Sequence, residues 1–150
     1  MDIVTLIFST AKVVGVSGSL LLSICLHESG GFKLNYAAND KGTPSHGVCQ
    51  VKAATAAMFG FKGDPKKLNE NHTSILYAAR YLRFQQERYG DKDWLMIVAA
   101  YNAGVYRPSK KVRGCPRNLK YVKLVQERLP PELQYKLSCG KQRQMEIAEN

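Results

Sequence analysis

Two segments of the chain are apolar on almost every side of a helix, and each ends in polar residues followed by glycine. The first, LLLSICLHESGG, begins at Leu20 and reaches Glu28 near its end, and the second, WLMIVAAYNAG, ends in Tyr101 and Asn102 before Gly104. A helix without a polar face runs through the interior of a domain rather than along its surface. The sequence therefore predicts two central helices that carry polar side chains at their ends.

Helical periodicity continues through most of the remaining chain. Ser17 and Gly30 are suited to start and stop the first central helix. Further helices are predicted at the N-terminus and over residues 52–59, 71–89, 93–104 and 118–129, with a loop over 31–50 and a turn over 63–68. No segment has a strand pattern. With 150 residues, the chain is expected to form a mainly α, single-domain protein.

The same periodicity assigns residues to the core. The N-terminal helix is expected to turn Ile3, Leu6, Ile7 and either Val13 or Val14 inward, and the helix over 71–89 to bury Ile75, Ala78, Ala79 and Leu82. No apolar stretch reaches the roughly 20 residues that a membrane-spanning helix needs. The N-terminus also lacks the pattern of a signal peptide, because Asp2 replaces the basic start and Lys12 interrupts the apolar part.

The four cysteines are spread along the chain as Cys25, Cys49, Cys115 and Cys139, with no C-x-x-C pair. This spacing argues against a zinc site or a thioredoxin-like motif. The cysteines can be structural or free, and Cys115 could pair with Cys139 in an oxidising compartment. The three histidines, His27, His46 and His72, have no metal-ligating spacing. No metal and no cofactor are therefore predicted.

The chain carries a net charge of +10, and its basic residues become denser after Tyr106, in RPSKKVRGCPRNLKYVK. Such a surface attracts a polyanion, which can be nucleic acid, an anionic membrane face or an acidic polymer of a bacterial envelope. A solvated face that only aids solubility is the alternative. Charge alone does not choose among these partners.

Glu28 stands at an unusual place for a carboxylate. Leu21, Cys25 and Glu28 follow the spacing i, i+4, i+7, so Glu28 extends a stripe that is expected to be buried. Burial and the negative end of the helix dipole both favour the protonated form of a carboxyl group. A protonated carboxylic acid beside glycines is suited to general-acid catalysis. The alternative is an exposed residue at a frayed helix end, or one paired with an arginine.

Four motifs follow one another along the chain: HESGGF around Glu28, GVCQV ending at Val51, AYNAG ending at Gly104 and NLKYV ending at Val122. In order and spacing they resemble those of the family 1 soluble lytic transglycosylases, and the layout is similar to goose-type lysozyme. The resemblance covers residues 1–130 and leaves a C-terminal helix and polar tail over 131–150. It implies a lysozyme-like, mainly helical fold and cleavage of peptidoglycan between N-acetylmuramic acid and N-acetylglucosamine.

Carried over by position, the resemblance makes Glu28 the only catalytic carboxylate. It implies that Gln50, Tyr101 and Asn102 bind the sugars and that the Tyr121 hydroxyl points toward the catalytic acid. Glu28 would protonate the glycosidic oxygen, and the C6 hydroxyl of the muramoyl residue would then close a 1,6-anhydro ring without water. Ser29 is expected to serve the helix end rather than the chemistry.

The chain departs from the family pattern at several positions. Cys49 stands where the family usually has methionine, and Arg117 stands where it usually has an acidic residue. The serine that is common in the loop after the catalytic acid falls near Ala38 or Asn39, and Ser45 is a candidate to replace it. Arg117 changes the polar partner that the family usually has at the far wall of the cleft, and a different preference for peptide stems is expected.

Two other functions compete with transglycosylation. Asp40 is the only acidic residue in the loop after Glu28, and as a second carboxylate it would make the protein a hydrolytic lysozyme. A noncatalytic binder of glycan or nucleic acid would be expected to lack Glu28 or to place aromatic residues among its basic ones. After Tyr106 only Tyr121 and Tyr135 are aromatic, which favours the enzyme.

The layout also resembles the lysis enzymes and virion-associated muralytic proteins of bacteriophages. Without a signal peptide, the protein is expected to be released by lysis, carried in a virion or exported by a dedicated route. Its expected partners are the glycan strands of the bacterial cell wall and anionic wall polymers, but not nucleic acid. It is expected to act as a monomer.

Overall fold

The computed structural model describes residues 1–40 and 42–140, except for the side chains of Asn39 and Asp40. The helices in this part of the chain are α1 (Ile3–Val14), α2 (Gly18–Ser29), α3 (Ala53–Ala57), α4 (Asn71–Tyr89), α5 (Trp94–Ala103), α6 (Leu119–Gln126) and α7 (Pro131–Gln134), with 3-10 helices at Pro65–Asn69 and Tyr135–Leu137. Three short strands are β1 (Ala38–Asp40), β2 (Thr43–His46) and β3 (Val51–Lys52). The predicted mainly α fold class is confirmed.

The chain groups into two compact units, Met1–Arg83 and a second that begins at Phe84. Helix α4 begins in the first unit and ends in the second. The predicted boundary between a catalytic domain and a C-terminal tail at residue 130 stays a prediction, and the expected polar tail over 141–150 lies outside the described residues. No helix in the described part of the chain is both long and apolar enough to cross a membrane.

Both of the first two helices are capped by a side chain at their N-terminus, and the caps of α2 are the predicted ones. The Asp2 carboxylate accepts a hydrogen bond from the Thr5 amide at 2.8 Å, and this bond lowers the pKa of the Asp2 carboxyl group. The Ser17 hydroxyl accepts from the Leu20 amide at 3.2 Å, and Gly30 ends α2 in the left-handed conformation at φ 62°. Both ends of α2 lie where the sequence places them.

The buried face of α1 differs in part from the prediction. Ile7 and Ala11 are buried, and Ile3, Leu6 and Val14 are half-buried, whereas Val13 is 86% exposed, so Val14 is the valine that turns inward. Val13 is two residues beyond Ala11, about 200° around the helix, and therefore lies on the opposite face. In α4 the predicted inner face is confirmed, because Ile75, Ala78, Ala79 and Leu82 are all fully buried.

The segment after α2 contains a small antiparallel sheet that the sequence analysis did not predict. Its strand order is β1-β2-β3, with Asp40 opposite Thr43 and His46 opposite Val51. The strands are two to four residues long, too short to show an alternating pattern. Gly42, at φ 83°, supplies the left-handed conformation that a tight hairpin requires. The predicted loop over 31–50 is thus wrong in part.

One predicted turn and the end of one predicted helix also differ from the prediction. The expected turn over 63–68 is mostly a 3-10 helix at Pro65–Asn69, because Asp64 accepts from the Lys66 amide and Pro65 fits a first helical position. Helix α6 ends at Gln126, before the expected stop at the two prolines. Residues 127–129 continue as a tighter turn, in which the Leu129 amide donates to the Gln126 carbonyl at 3.0 Å.

Each unit has its own apolar core. In the first unit, α1 packs against α2, and α3 packs against β2 and β3. In the second unit, α5 packs against α6 and against the 3-10 helix at Tyr135–Leu137. The core of the second unit consists mainly of Leu95, Ile97, Val98, Ala99, Ala100, Val122, Val125, Leu129 and Leu137.

Candidate functional site

Glu28 is the second-last residue of α2 and is half-buried. Leu21 and Cys25, which precede it along the predicted stripe, are fully buried. This face of α2 is therefore buried up to Cys25 and becomes partly exposed at Glu28. The expectation of a core helix that delivers a carboxylate at its end is confirmed, although this carboxylate is less buried than the two residues before it.

Ser29 holds the end of the helix beside Glu28. Its side chain is fully buried, and its hydroxyl donates to the Cys25 carbonyl at 2.7 Å and accepts from the Phe32 amide at 2.7 Å. Phe32 has a positive φ of 66°. One hydroxyl group thus ties the last turn of α2 to the chain that follows, which confirms the structural role predicted for Ser29.

The backbone directly after Ser29 is open. A Cβ atom added at Gly30 or Gly31 would have no heavy atom within 4 Å, apart from those of its chain neighbours. Both residues have positive φ angles. A ligand can therefore come close to the main chain next to Glu28.

A disulfide between Cys25 and Cys49 links α2 to the segment that carries Gln50. The two Cα atoms are 4.2 Å apart. Cys25 lies three residues before Glu28, roughly 4.5 Å along the helix axis, and Cys49 directly precedes Gln50. The structure thus brings Glu28 and Gln50 into one region of the first unit. The spacing of the cysteines does not predict this pairing.

The turn from Gly47 to Gln50 is packed closely against its neighbours. Gly47 has φ 76°, and a Cβ atom there would overlap the carbonyl oxygen of Leu68 and lie 2.6 Å from Oγ of Ser74. The Ser74 hydroxyl bonds to the chain on both sides of Gly47. It donates to the His46 carbonyl and accepts from the Cys49 amide. The position of Gln50 is therefore fixed by buried contacts.

Gln50 uses its side-chain nitrogen to hold this turn. Nε2 donates to the Tyr36 carbonyl at 3.1 Å and to the Gly47 carbonyl at 2.8 Å. The backbone at Gln50 is left-handed, with φ 50°. With both amide hydrogens engaged by the protein, the Oε1 atom is the part of Gln50 suited to a ligand, and it accepts hydrogen bonds from donors such as sugar hydroxyl groups.

The hairpin places Ser45 opposite Ala38. Directly paired residues of antiparallel strands point to the same face of the sheet. Ser45 therefore lies on the same face as the position near which the serine was expected, and it is 8% exposed. The backbone of Asp40 belongs to β1, whereas its side chain lies outside the described residues.

In the second unit, Tyr101 and Asn102 occupy the last turn of α5. Tyr101 is 8% exposed, and Asn102 is exposed. Buried Gln85 donates to the carbonyl oxygens of Ala100 and Gly104, and Arg88 donates to Gly104 at 2.9 Å. The Gly104 carbonyl, which directly follows the helix, thus has two side-chain donors, and the Ala100 carbonyl accepts from Gln85 in addition to the Gly104 amide at 2.7 Å. The end of α5 is therefore well ordered.

Asn118 connects this helix end to α6. Its side-chain nitrogen donates to the Ala99 carbonyl and to Oδ1 of Asn102, both at 2.9 Å. Tyr121, which is also 8% exposed, lies in the first turn of α6. Asn118 thus orients Asn102, a role that the sequence analysis did not assign. The only signal was its place in the NLKYV motif.

A comparison with protein families identifies the chain. The model of the transglycosylase SLT domain matches residues 5–121, which is most of the sequence. The chain belongs to this family. No curated protein and no solved structure matches it. The SLT domain includes Glu28, Gln50, Tyr101, Asn102 and Tyr121 within the matched residues.

Membership in the SLT family accounts for the helical architecture and gives the broad activity. The fold is lysozyme-like, as expected from the sequence. The SLT domain is of the peptidoglycan-degrading, transglycosylase type and acts on the bacterial cell wall. Within residues 1–40 and 42–140, no three His, Cys, Asp or Glu side chains converge as a metal site would require.

Proposed function

We propose that the protein cleaves the β-1,4 bond between N-acetylmuramic acid and N-acetylglucosamine as a lytic transglycosylase, with Glu28 as its only catalytic carboxylate. The observation that carries the proposal is the position of Glu28. It is half-buried at the end of an apolar helix and beside an open glycine backbone, and a disulfide links this helix to the turn of Gln50.

The reaction needs one group that first gives and then takes a proton. Protonated Glu28 donates its proton to the glycosidic oxygen, and the bond from C1 of the muramoyl residue to that oxygen breaks. The neighbouring 2-acetamido group stabilises C1 as the N-acetylglucosamine leaves with its new hydroxyl group. The Glu28 carboxylate then accepts the proton of the C6 hydroxyl, whose oxygen bonds to C1. The product is a 1,6-anhydro ring, and no water is consumed.

The remaining predicted residues are proposed to contact the glycan. Gln50 would accept a hydrogen bond from the sugar through Oε1, since its amide nitrogen is engaged by the Tyr36 and Gly47 carbonyls. Asn102 would offer an exposed amide held by Asn118. Tyr101 and Tyr121 would contribute the small accessible parts of their side chains, which for Tyr121 do not include the buried hydroxyl oxygen.

Hydrolysis on the same fold is the second candidate. Asp40 lies in β1, and the sheet that contains it also contains Val51, the residue after Gln50. A retaining hydrolase usually places a second carboxylate about 5 Å from the first. If Asp40 supplied that group, water would be the acceptor and the products would have reducing ends.

The proposal extends to the biological setting. A role as a monomeric phage-type lysis enzyme or virion-associated enzyme is supported by the similarity of the sequence layout to such proteins. It predicts that purified protein added to isolated peptidoglycan releases fragments without a partner protein.

Mass spectrometry of the fragments released from purified peptidoglycan tests the reaction. Anhydromuramoyl ends, one water lighter than reducing ends, are expected from the parent protein. Glu28→Gln is expected to lower turnover by at least about 100-fold, because general-acid catalysis is lost. Exposed Glu127 provides a matched control, since Glu127→Gln removes the same charge.

Each outcome assigns a reaction. Reducing ends would replace the transglycosylase with a hydrolase and direct attention to Asp40. Substantial activity in a folded Glu28→Gln protein would show that Glu28 is not the catalytic carboxylate. An absence of fragments from every type of cell wall would favour a glycan-binding protein without catalysis.

A further inference from the structure

One segment of the second unit carries six cations that the catalytic proposal does not use. We define the basic loop as residues 107–120, which extend into the first turn of α6 and contain Arg107, Lys110, Lys111, Arg113, Arg117 and Lys120. All six side chains are exposed. The sequence has no acidic residue between Asp93 and Glu127. The positive charge of this loop is therefore not offset by its neighbours in the chain.

The cations of the basic loop are also not paired with acidic side chains within residues 1–40 and 42–140. None of the six forms a salt bridge in this part of the chain. Exposed cations without ion pairs remain available to an external anion. Their charges reinforce one another over a distance of about one Debye length, roughly 8 Å at physiological salt.

The backbone of the basic loop is well ordered. A disulfide joins Cys115 to Cys139, and an isolated bridge pairs Pro108 with Pro116. The Arg117 amide donates to the Arg107 carbonyl at 2.7 Å, which closes the loop at its base. The loop therefore presents its charges from a fixed scaffold, and binding costs little backbone ordering.

The tip of the loop is held by its own side chains. The Ser109 hydroxyl accepts from the amides of Lys111 and Val112, each at 3.1 Å. Gly114, at φ 83°, completes the turn before Cys115. Lys110, Lys111 and Arg113 thus lie on one short, ordered turn.

We propose that the basic loop binds a phosphodiester polymer of the bacterial envelope and holds the enzyme at the cell wall. Arg107, Arg113 and Arg117 present planar guanidinium groups that match the oxygen atoms of phosphate. Six cations along one ordered loop fit a chain of repeated anions better than a single small anion. The choice of an envelope polymer rests on the proposed function, since the substrate is cell-wall peptidoglycan.

Two other polyanions fit the loop less well. Binding of single-stranded nucleic acid uses aromatic rings on which bases stack, and residues 107–120 contain no aromatic residue. Binding in a membrane interface uses bulky apolar side chains beside the cations. The only bulky aliphatic residue exposed near the tip is Val112, at 46%.

A binding assay with a charge-matched control tests the proposal. The full chain carrying Glu28→Gln is titrated with poly(glycerol phosphate) at several salt concentrations. Adding Lys110→Gln and Lys111→Gln is expected to weaken binding roughly tenfold and to lower the slope of log affinity against log salt by about two. The control adds Lys66→Gln and Lys67→Gln, which remove the same charge from an exposed 3-10 helix in the first unit. This control is expected to change affinity less than about twofold.

Several outcomes would overturn the proposal. Equal weakening by both pairs of substitutions would show an effect of net charge rather than of the loop. An absence of binding to poly(glycerol phosphate) would exclude a phosphodiester polymer as the partner of the basic loop. Tighter binding of an oligothymidylate, or of vesicles with anionic lipids, at the same salt would assign the loop to nucleic acid or to membrane. The polymer has no glycosidic bond and the protein lacks its acid, so these results are independent of the peptidoglycan assay.

Discussion

At the scale of single residues, two adjacent side chains have separate tasks. Glu28 is proposed to be the catalytic acid and base. Ser29 holds the end of α2 in place through its two hydrogen bonds of 2.7 Å. Because the Ser29 hydroxyl is fully buried, water cannot replace either bond without local opening. The position of Glu28 therefore depends on a neighbour that does not take part in the reaction.

Ser29→Ala is expected to lower both stability and turnover. The Phe32 amide loses its acceptor inside the protein, which costs about 1 to 3 kcal/mol in the free energy of unfolding. The last turn of α2 loosens with it, so kcat is expected to fall more than KM rises. Urea denaturation and an assay of peptidoglycan release measure the two effects.

Ser23→Ala is the matched control for this prediction. Ser23 is also buried in α2, and its hydroxyl donates to the Ser19 carbonyl at 2.9 Å, more than one turn before Glu28. This variant is expected to lose stability while the folded protein keeps its turnover. An equal loss of turnover in both variants would mean that α2 acts as a whole and that Ser29 has no special role.

Residues with local roles are the ones that the sequence predicts well. Ser17 and Gly30 cap α2 as expected, because a cap depends on only three or four neighbouring residues. Asn118 was missed because its partners, Ala99 and Asn102, are 19 and 16 residues away. No short-range pattern shows that an asparagine before a helix bonds to a different helix.

At the scale of elements, long helices were predicted and short strands were not. Helix α4 spans Asn71–Tyr89, as its 19-residue apolar periodicity indicates. The strands of the sheet have at most four residues and depend on pairing with each other. Their stability comes from contacts across the hairpin and from the packed turn at Gly47, which composition does not reveal.

Gly47→Ala is expected to disrupt the turn that presents Gln50. The new methyl group would overlap the Leu68 carbonyl, and the left-handed backbone would add strain. Together these effects are expected to cost about 3 kcal/mol or more of stability and most of the activity. Thermal unfolding and the peptidoglycan assay provide the measurements.

Gly60→Ala separates the cost of steric overlap from the cost of the left-handed backbone. Gly60 also has a positive φ, of 97°, but its Cβ position is open. Only the backbone strain of about 1 kcal/mol is expected there, with normal turnover. If both alanine variants lost the same stability, the close packing of Gly47 would not be important to the turn.

At the scale of the whole molecule, each unit has a covalent link. Cys25–Cys49 and Cys115–Cys139 both join residues that are 24 positions apart. Four cysteines allow three pairings, and the sequence alone favoured none of them decisively. The pairing depends on which segments fold together, so only the three-dimensional structure resolves it.

The two disulfides are expected to have different effects on function. Replacing both cysteines of either bridge with alanine is expected to cost about 3 kcal/mol of stability, from the added freedom of the unfolded chain. Loss of Cys25–Cys49 is also expected to lower kcat in the folded protein, because α2 and the turn of Gln50 are no longer linked. Loss of Cys115–Cys139 is expected to raise KM instead, because it frees the basic loop.

These effects are measured with the two double variants in parallel. Calorimetry gives the change in stability, and peptidoglycan turnover below the unfolding temperature gives kcat and KM. Equal kinetic changes in the two variants would mean that the bridges contribute to the fold in the same general way. Unchanged kinetics without Cys25–Cys49 would show that noncovalent contacts are enough to place Gln50.

The bridge beside the proposed catalytic acid also restricts how the sequence can evolve. Losing Cys49 removes the link and leaves the Cys25 thiol within one helical turn of Glu28, whereas losing Cys25 leaves a thiol beside Gln50. We therefore expect cysteines at these two positions to occur together in related sequences. Methionine at position 49, the residue usual in the family, would remove the bridge and leave Cys25 as a free thiol at the buried side of α2.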